Sequence, residues 1–389
     1  MRKLIIIPFL LLAIWVNAQE NLRFSAVDSL SYQAYLVGNW DQLIQIGKEA
    51  ISQDIDYKNL RKRMGYAYFV KGEYYAAELA YEKALNFDQS DTDARIYLYY
   101  CGLNTGDNTF ASYHANKLSL EEQSKLGIKQ FKILDAIDLE YNYKSNNSVS
   151  SSRSNPNYYR AGIRTQLSNR LSLYQSASQY NQTLNTRLAI KQKEYYGALN
   201  GILNARVTVD LAYHYLYTDL QSTTYSNQMT GNLYFAKLST KLNRFNFAIN
   251  ASTMALDTAN SKQLGLSAGY TLEGPSNVHL NSTLVRVIQT ANNRFVFSQS
   301  IGLQLFKPLW VEGSISFGNL KNYTDNNGLY VYNSSDATTF RTGLTTLYTL
   351  SPKITLVGNY TFDKKELINS STTTNYNQHS LSGGLIWKF

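Results

Sequence analysis

The sequence predicts an N-terminal α-helical solenoid followed by a transmembrane antiparallel β-barrel of about 14 strands (12–16). Three observations carry that prediction. Up to about Leu118 the apolar spacing is helical and recurs every 34 residues. Beyond Phe131 apolar and polar residues alternate through one short segment after another, and the last segment ends the chain on an aromatic ring. A period of 3.6 buries one stripe of a helix, whereas a period of two gives a strand with two unlike faces. A long series of such strands behind a secretion signal sets the greasy face against lipid. An edge strand of a secreted all-β domain shows the same local alternation, so the decision rests on the series.

The chain opens with Met1-Arg2-Lys3, an apolar run from Leu4 to Val16, and Asn17-Ala18 before Gln19. A charged start, a core too short to span a bilayer and a small residue at the end form a signal peptide, residues 1–18, and the mature chain is expected to begin at Gln19. No Cys follows the cleavage site, which excludes a lipoprotein anchor, and no other apolar run reaches eighteen residues.

Composition agrees. The 389 residues allow two or three domains. Only 17% are charged, while 32 are Tyr, a residue that suits headgroup layers because its ring sits in grease and its hydroxyl in water. A mean hydropathy of −0.32 argues against membrane helices but not against a barrel, whose strands are half polar. The net charge of +9 contains no run of five or more Lys and Arg, so nucleic acid is not an expected partner. Cys101 stands alone in the apolar stretch Ile96 to Cys101, which excludes an intrachain disulfide and predicts a buried thiol.

Residues 19–130 are expected to form the helical domain. Gly38, Gly72 and Gly106 stand 34 residues apart, and Leu43, Ala77 and Ala111 keep step with them, as do Gly47, Tyr81 and Ala115 and then Ala50, Ala84 and Leu118. The middle copy, with Gly65, Tyr68, Gly72, Ala77, Tyr81 and Ala84, resembles a tetratricopeptide repeat, and the outer copies are degenerate as terminal repeats are. Ser119-Leu120-Glu121-Glu122 reads as a capping box that starts one more helix, to about Lys129.

Residues 131–389 are expected to form the barrel. Strands are predicted near 134–144, 158–168, 170–181, 188–203, 205–218, 227–242, 244–256, 261–272, 276–288, 293–306, 309–322, 338–350, 353–365 and 377–389. Short turns, among them Asn243-Arg244, Glu273-Gly274-Pro275 and Lys307-Pro308, alternate with longer polar links at Lys144 to Asn157, Asp219 to Ser226, Asn322 to Ala337 and Lys365 to Asn377. Short turns on one side and long loops on the other put both barrel ends in the periplasm. Leu329 to Tyr332 reads as a flap in a long outer loop, and neither face of Lys191-Gln192-Lys193-Glu194 is apolar.

Alternation also assigns faces. Val207, Val209, Leu211, Tyr213, Tyr215 and Tyr217 share one side, which sends Arg206, Asp210 and His214 to the lumen; the same reading sends Asp138, Glu140, Arg160, Arg164, His279, Glu312 and Arg341 inward. Mixed signs suggest a paired, wet wall, either a polar track for a hydrophilic polymer or a filling that holds the barrel's shape. Neighbours His379 and Ser380 fall on opposite faces, which spoils a direct nucleophile and base pair. His214 and His279 are left to meet a serine such as Ser298 or Ser314 across the lumen, as a lipase or acylase requires. The expectation is a protein that is not an enzyme and uses no cofactor or metal, since the four His, including His114, show no shared-site spacing.

The terminal strand, with Leu381, Gly383, Leu385, Trp387 and Phe389 on one face, resembles the C-terminal signal by which outer-membrane barrels are inserted. The whole order resembles the YaiO family, and also polysaccharide exporters and surface lipoprotein assembly modifiers. That resemblance implies outer-membrane lipid and lipopolysaccharide, the barrel-assembly machinery, and a periplasmic protein or polysaccharide cargo as partners. The function it implies is export or surface assembly of a polysaccharide, with lipoprotein delivery or adhesion as alternatives.

Overall fold

The computed structural model describes residues 23–128, 133–146, 154–184, 187–256, 259–272, 276–290, 292–333, 336–368 and 373–389. The signal peptide, the junction at Phe131 and the Glu273-Gly274-Pro275 turn lie outside the described residues. Contacts divide the chain into two compact units between Tyr97 and Leu98.

The helices are α1 (Phe24–Leu36), α2 (Trp40–Ser52), α3 (Lys58–Val70), α4 (Tyr74–Phe87), α5 (Thr92–Asn104), α6 (Asn108–Ala115) and α7 (Leu120–Lys125). The 34-residue column of Gly38, Gly72 and Gly106 marks the turns from α1 to α2, α3 to α4 and α5 to α6. Each takes a positive φ, 72°, 77° and 69° in turn, and each closes the same cap. The amides of Asn39, Glu73 and Asp107 reach back to the carbonyls of Ala34, Tyr68 and Gly102. Gly65, buried in α3, lets the Tyr81 ring of α4 pass at a distance a side chain would close, and Tyr81 stacks on Tyr97 with centroids 5.0 Å apart. Ala77 and Ala84 are buried beside it. Ser119 caps α7 as predicted, its hydroxyl accepting from the Glu122 amide and Glu122 Oε2 accepting from the Ser119 amide at 2.9 Å. The helix stops at Lys125, short of Lys129, because Gly127 turns to a φ of 66°.

Sixteen strands follow among the described residues. They are β1 (Leu134–Asn146), β2 (Asn157–Ser168), β3 (Leu171–Leu184), β4 (Leu188–Ile202), β5 (Val207–Gln221), β6 (Ser226–Leu242), β7 (Phe245–Leu256), β8 (Ala259–Leu272), β9 (Val278–Gln289), β10 (Asn292–Phe306), β11 (Leu309–Phe317), β12 (Tyr323–Asp325), β13 (Tyr330–Tyr332), β14 (Ala337–Ser351), β15 (Ile354–Ile368) and β16 (Thr373–Lys388). All but β12 and β13 join one closed antiparallel barrel of fourteen strands, in sequence order except that β11 pairs directly with β14. β1 closes on β16, with Ile137 opposite Trp387 and Leu139 opposite Leu385, and the Phe389 amide donates to Asp135 O at 3.0 Å.

The two faces of the wall differ as alternation requires. Leu211, Ile249, Leu266, Leu284, Phe295, Ile301 and Leu381 are exposed on the outside, whereas Ser380 and Ser382, one residue away from Leu381, are buried inside. Exposed rings lie toward both ends: Tyr141, Tyr159 and Phe297 toward the long loops, and Phe245, Tyr348 and Trp387 toward the short turns. A closed wall with an apolar exterior and an aromatic girdle at each rim is an outer-membrane β-barrel.

Several predicted boundaries move. β5 begins at Val207 because Asn204 Oδ1 accepts from the amides of Arg206 and Val207 and makes a turn there. β5 and β15 run on to Gln221 and Ile368, so half of the expected link Asp219 to Ser226 and most of Lys365 to Asn377 are strand. β11 ends at Phe317, well short of 322, for the reason given below.

Candidate functional site

The lumen is defined by the segment between β11 and β14, which folds inward. At Gly318 the φ of 121° is one that side-chain-bearing residues avoid, and a Cβ there would stand 2.5 Å from Phe295 O. The chain leaves the wall at that point. β12 and β13 pair with each other as a hairpin whose tip is a single helical turn, Asn326–Gly328. Leu329 to Tyr332, read from sequence as a flap in an outer loop, is thus part of a hairpin inside the barrel.

Apolar contacts seat this hairpin at two places. Leu320 and Tyr323 bury against Val285 and Val287 of β9 and Val296 of β10, and Leu329 buries against Tyr196, Ala212, Leu233, Phe235 and Met254 of β4 to β7. Polar contacts then fix its tip. The Tyr196 hydroxyl donates to Asn327 O at 3.0 Å, Lys237 Nζ donates to Asn327 Oδ1 at 3.0 Å, and His214 Nδ1 lies 2.9 Å from Gly328 O. Tyr330 donates to Glu140 Oε2 at 3.0 Å, Asn333 donates to Gln192 Oε1 at 2.8 Å, and Arg341 donates to the Tyr332 hydroxyl.

Several wall charges are paired. Arg160 lies between Asp138 at 2.9 Å and Glu140 at 2.8 Å, and the Tyr174 hydroxyl accepts from Arg160 and donates to Asp138. Arg341 grips Asp363 through two bonds of 2.6 and 2.7 Å. Lys237 meets Asp210 at 3.1 Å, and Glu194 accepts from Ser178 at 2.8 Å with His214 Nε2 at 3.4 Å. Such pairs are satisfied where a lone charge would be costly.

Around the hairpin runs a cavity of about 2200 Å³. Asp138, Glu140, Arg160, Arg164, Asp210, Glu312 and Arg341 line it. His214 faces the lumen but is buried beneath the hairpin tip. His279 sits on the inner face near the short-turn end, against Thr271 and the Trp310 ring. Arg206 is a correction. It falls in the turn before β5, outside the alternating run, and its guanidinium covers the Phe110 ring at 5.3 Å.

That contact belongs to a set that holds α6 at the short-turn end. Lys241 meets Asp107 at 3.0 Å, Arg170 covers Tyr113 at 5.0 Å, and Asn116 Nδ2 donates to Asn169 O at 3.1 Å. Asn108, Thr109 and Ser112 of α6 line the cavity beside Asn169 and Arg170. Sequence reasoning missed these residues, since only the three-dimensional path shows that α6 reaches the barrel rim.

It also missed Glu194, Lys237, Asp363, Tyr330 and Tyr332. A signal existed for Glu194. In the ambiguous run, Gln192 is buried and Glu194 faces inward, while Lys191 and Lys193 are exposed on the outside near the long-loop end, where their long stems reach the headgroup layer. Among the described residues neither His214 nor His279 bonds a serine: His214 meets Gly328 O and Glu194, and His279 meets Thr271. His379 bonds Tyr360 at 2.8 Å, and Ser298 pairs with Ser316 at 2.8 Å. Among the described residues no group of three or more His, Cys, Asp and Glu is placed to hold a metal ion.

No protein-family model matches the sequence, and no curated protein is significantly similar to it. Solved barrels do superpose on it. The P. putida toluene transporter TodX matches with a TM-score of 0.46 at 7% identity, over 67% of this chain and 91% of that one. The Acinetobacter baumannii outer membrane protein Omp33 gives 0.37 at 10%, over 66% and 99%. A bacterial polysaccharide outer membrane secretin gives 0.40 at 7%, over 67% and 100%. At these values the likeness is one of barrel architecture alone.

Proposed function

We propose that the barrel is an outer-membrane conduit for a hydrophilic polymer, a polysaccharide, with the hairpin as its constriction and the helical region on the periplasmic side. The lining of the cavity carries this reading. The rings of Tyr158, Tyr174, Tyr196 and Tyr330 stand among amides such as Asn200, Asn281 and Asn359 and among charges of both signs. Flat apolar faces interleaved with hydrogen-bonding groups suit a chain of sugar rings better than a simple ion. Fourteen strands also fall between a barrel filled by its own side chains and an open porin, so a lumen narrowed by one inserted hairpin is the expected compromise.

In this reading the tetratricopeptide-like helices recruit the cargo or its synthetic partner, and the chain moves that cargo without carrying out a reaction on it. The barrel-assembly machinery inserts the protein, and lipopolysaccharide surrounds the end that bears Lys191 and Lys193. The test is single-channel recording in planar bilayers, on the whole protein and on protein lacking residues 19–130. Neutral oligosaccharides added on the helical side are expected to produce transient current blocks. Currents indifferent to millimolar oligosaccharide, in both proteins, would remove the polysaccharide reading and favour surface-lipoprotein delivery.

A further inference from the structure

The inner wall of a water-filled barrel carries polar residues at alternate positions, and over most of this lumen that rule holds. It fails toward the long-loop end of β3 to β7. Leu184 of β3, Leu188 and Ile190 of β4, Leu220 of β5, Met229 of β6 and Leu256 of β7 all line the cavity and are only half-buried. Each lies toward the long-loop end of its strand. The register makes them one surface, with Leu184 opposite Leu188, Ile190 opposite Leu220, and Leu256 opposite Gly231, where a Cβ would meet the leucine side chain at 2.5 Å. Leu329 and Val331 of the hairpin line the same cavity, and Val331 and Leu256 pack against one apolar cluster. Wall and hairpin together make an aliphatic chamber.

A cation faces the same cavity. Lys144 of β1 points its ammonium at the Tyr180 ring of β3, 5.9 Å from the centroid. Among the described residues it forms no ion pair. The carboxylates of the neighbouring wall are already engaged, Asp363 by Arg341 and Glu194 by Ser178, Gln192 and His214. A sugar chain has no use for six aliphatic side chains, and a free ammonium beside them asks for an anion.

From this juxtaposition of an aliphatic wall and an unpaired ammonium, we propose that the long-loop half of the lumen is a binding site for a single-chain anionic amphiphile. Its methylene tail lies on the wall from Leu184 to Leu256 and its carboxylate, or an equivalent monoanion, meets Lys144. The site shares its cavity with the polar track, but it does not depend on the polysaccharide reading.

The test uses the full-length protein in lipid nanodiscs and a fluorescent fatty-acid analogue, dansylaminoundecanoic acid, beside its methyl ester. Saturable binding of one acid per chain is expected. The double variant Leu188→Gln/Leu220→Gln is expected to weaken acid and ester alike by about tenfold or more, and Lys144→Gln to weaken the acid by about tenfold while leaving the ester unchanged. Heat-modifiable mobility on gels checks that each variant has folded. On the unaltered protein, dodecanoate is expected to displace the probe well below the concentration at which dodecanol does. Fluorescence that grows with lipid, never saturates and is the same in all three proteins is bilayer partitioning and overturns the proposal. Equal displacement by dodecanoate and dodecanol overturns the role of Lys144.

Discussion

A Cβ added at Gly65 would come within 2.8 Å of the Tyr81 ring, and that ring is itself fixed by stacking on Tyr97. Gly65→Ala is therefore expected to overpack the α3–α4 crossing, at a cost of about 1–3 kcal/mol, and to lower the melting midpoint of the helical signal at 222 nm. Exposed charges act on the same unit through pH. The hydroxyl of Ser90, the ammonium of Lys58 and the amide of Ser90 hold the Asp88 carboxyl at about 2, below its ordinary 3.8, and Arg63 lowers Asp28 in the same direction. A carboxylate held down in the folded state stabilises the fold above its unfolded pKa, and that contribution is lost as pH falls toward the folded value. The helical unit should melt earlier at pH 3 than at pH 6, and Asp88→Asn should narrow the gap between the two midpoints. The inward position of Asp138, Glu140 and Arg160 was legible, because alternation is a local rule. Their partners were not, because Arg160 meets both acids only through the β1–β2 register.

The β12–β13 hairpin shows where pattern reading stops. Residues 319–322 continue the apolar and polar rhythm of β11, so sequence extends the strand; the departure at Gly318 is a backbone event that the rhythm does not record. Replacing residues 319–333 by a short Gly-Ser link is expected to raise single-channel conductance severalfold in planar bilayers, with the wall still closed between β11 and β14. An unchanged conductance would mean that the narrowest passage lies elsewhere. Arg341→Ala has a different expected outcome. It leaves Asp363, 1% exposed, without its guanidinium and loosens Tyr332 at the same time. Removing one member of a buried pair costs about 3–5 kcal/mol, so the temperature at which the barrel loses its fast gel mobility should drop. Arg206 teaches the complementary lesson, since one Asx turn was enough to take it out of the alternating run and set it over Phe110.

Across the whole molecule, closure depends on strands distant in the chain. The outward apolar face of β16 was plain from Leu381 to Phe389, yet its pairing of Trp387 with Ile137 spans almost the full barrel sequence and follows only from the strand count. Trp387 and Phe389 stack at 5.5 Å on the outside at the short-turn rim and make little contact with the interior. Deleting Phe389 should accordingly leave the melting of assembled barrels almost unchanged while cutting the amount that reaches the folded, heat-modifiable form in membranes. The helix-to-strand order was equally legible, whereas the seating of α6 against Arg170, Arg206 and Lys241 was not, being made by turn residues that follow no period. The inward hairpin has one further consequence. Both of its stems rise from a single seam, β11 beside β14, while its tip is moored on the opposite wall at Tyr196, His214 and Lys237; it crosses the bore like a beam held at both ends, and whatever threads the pore must pass around it.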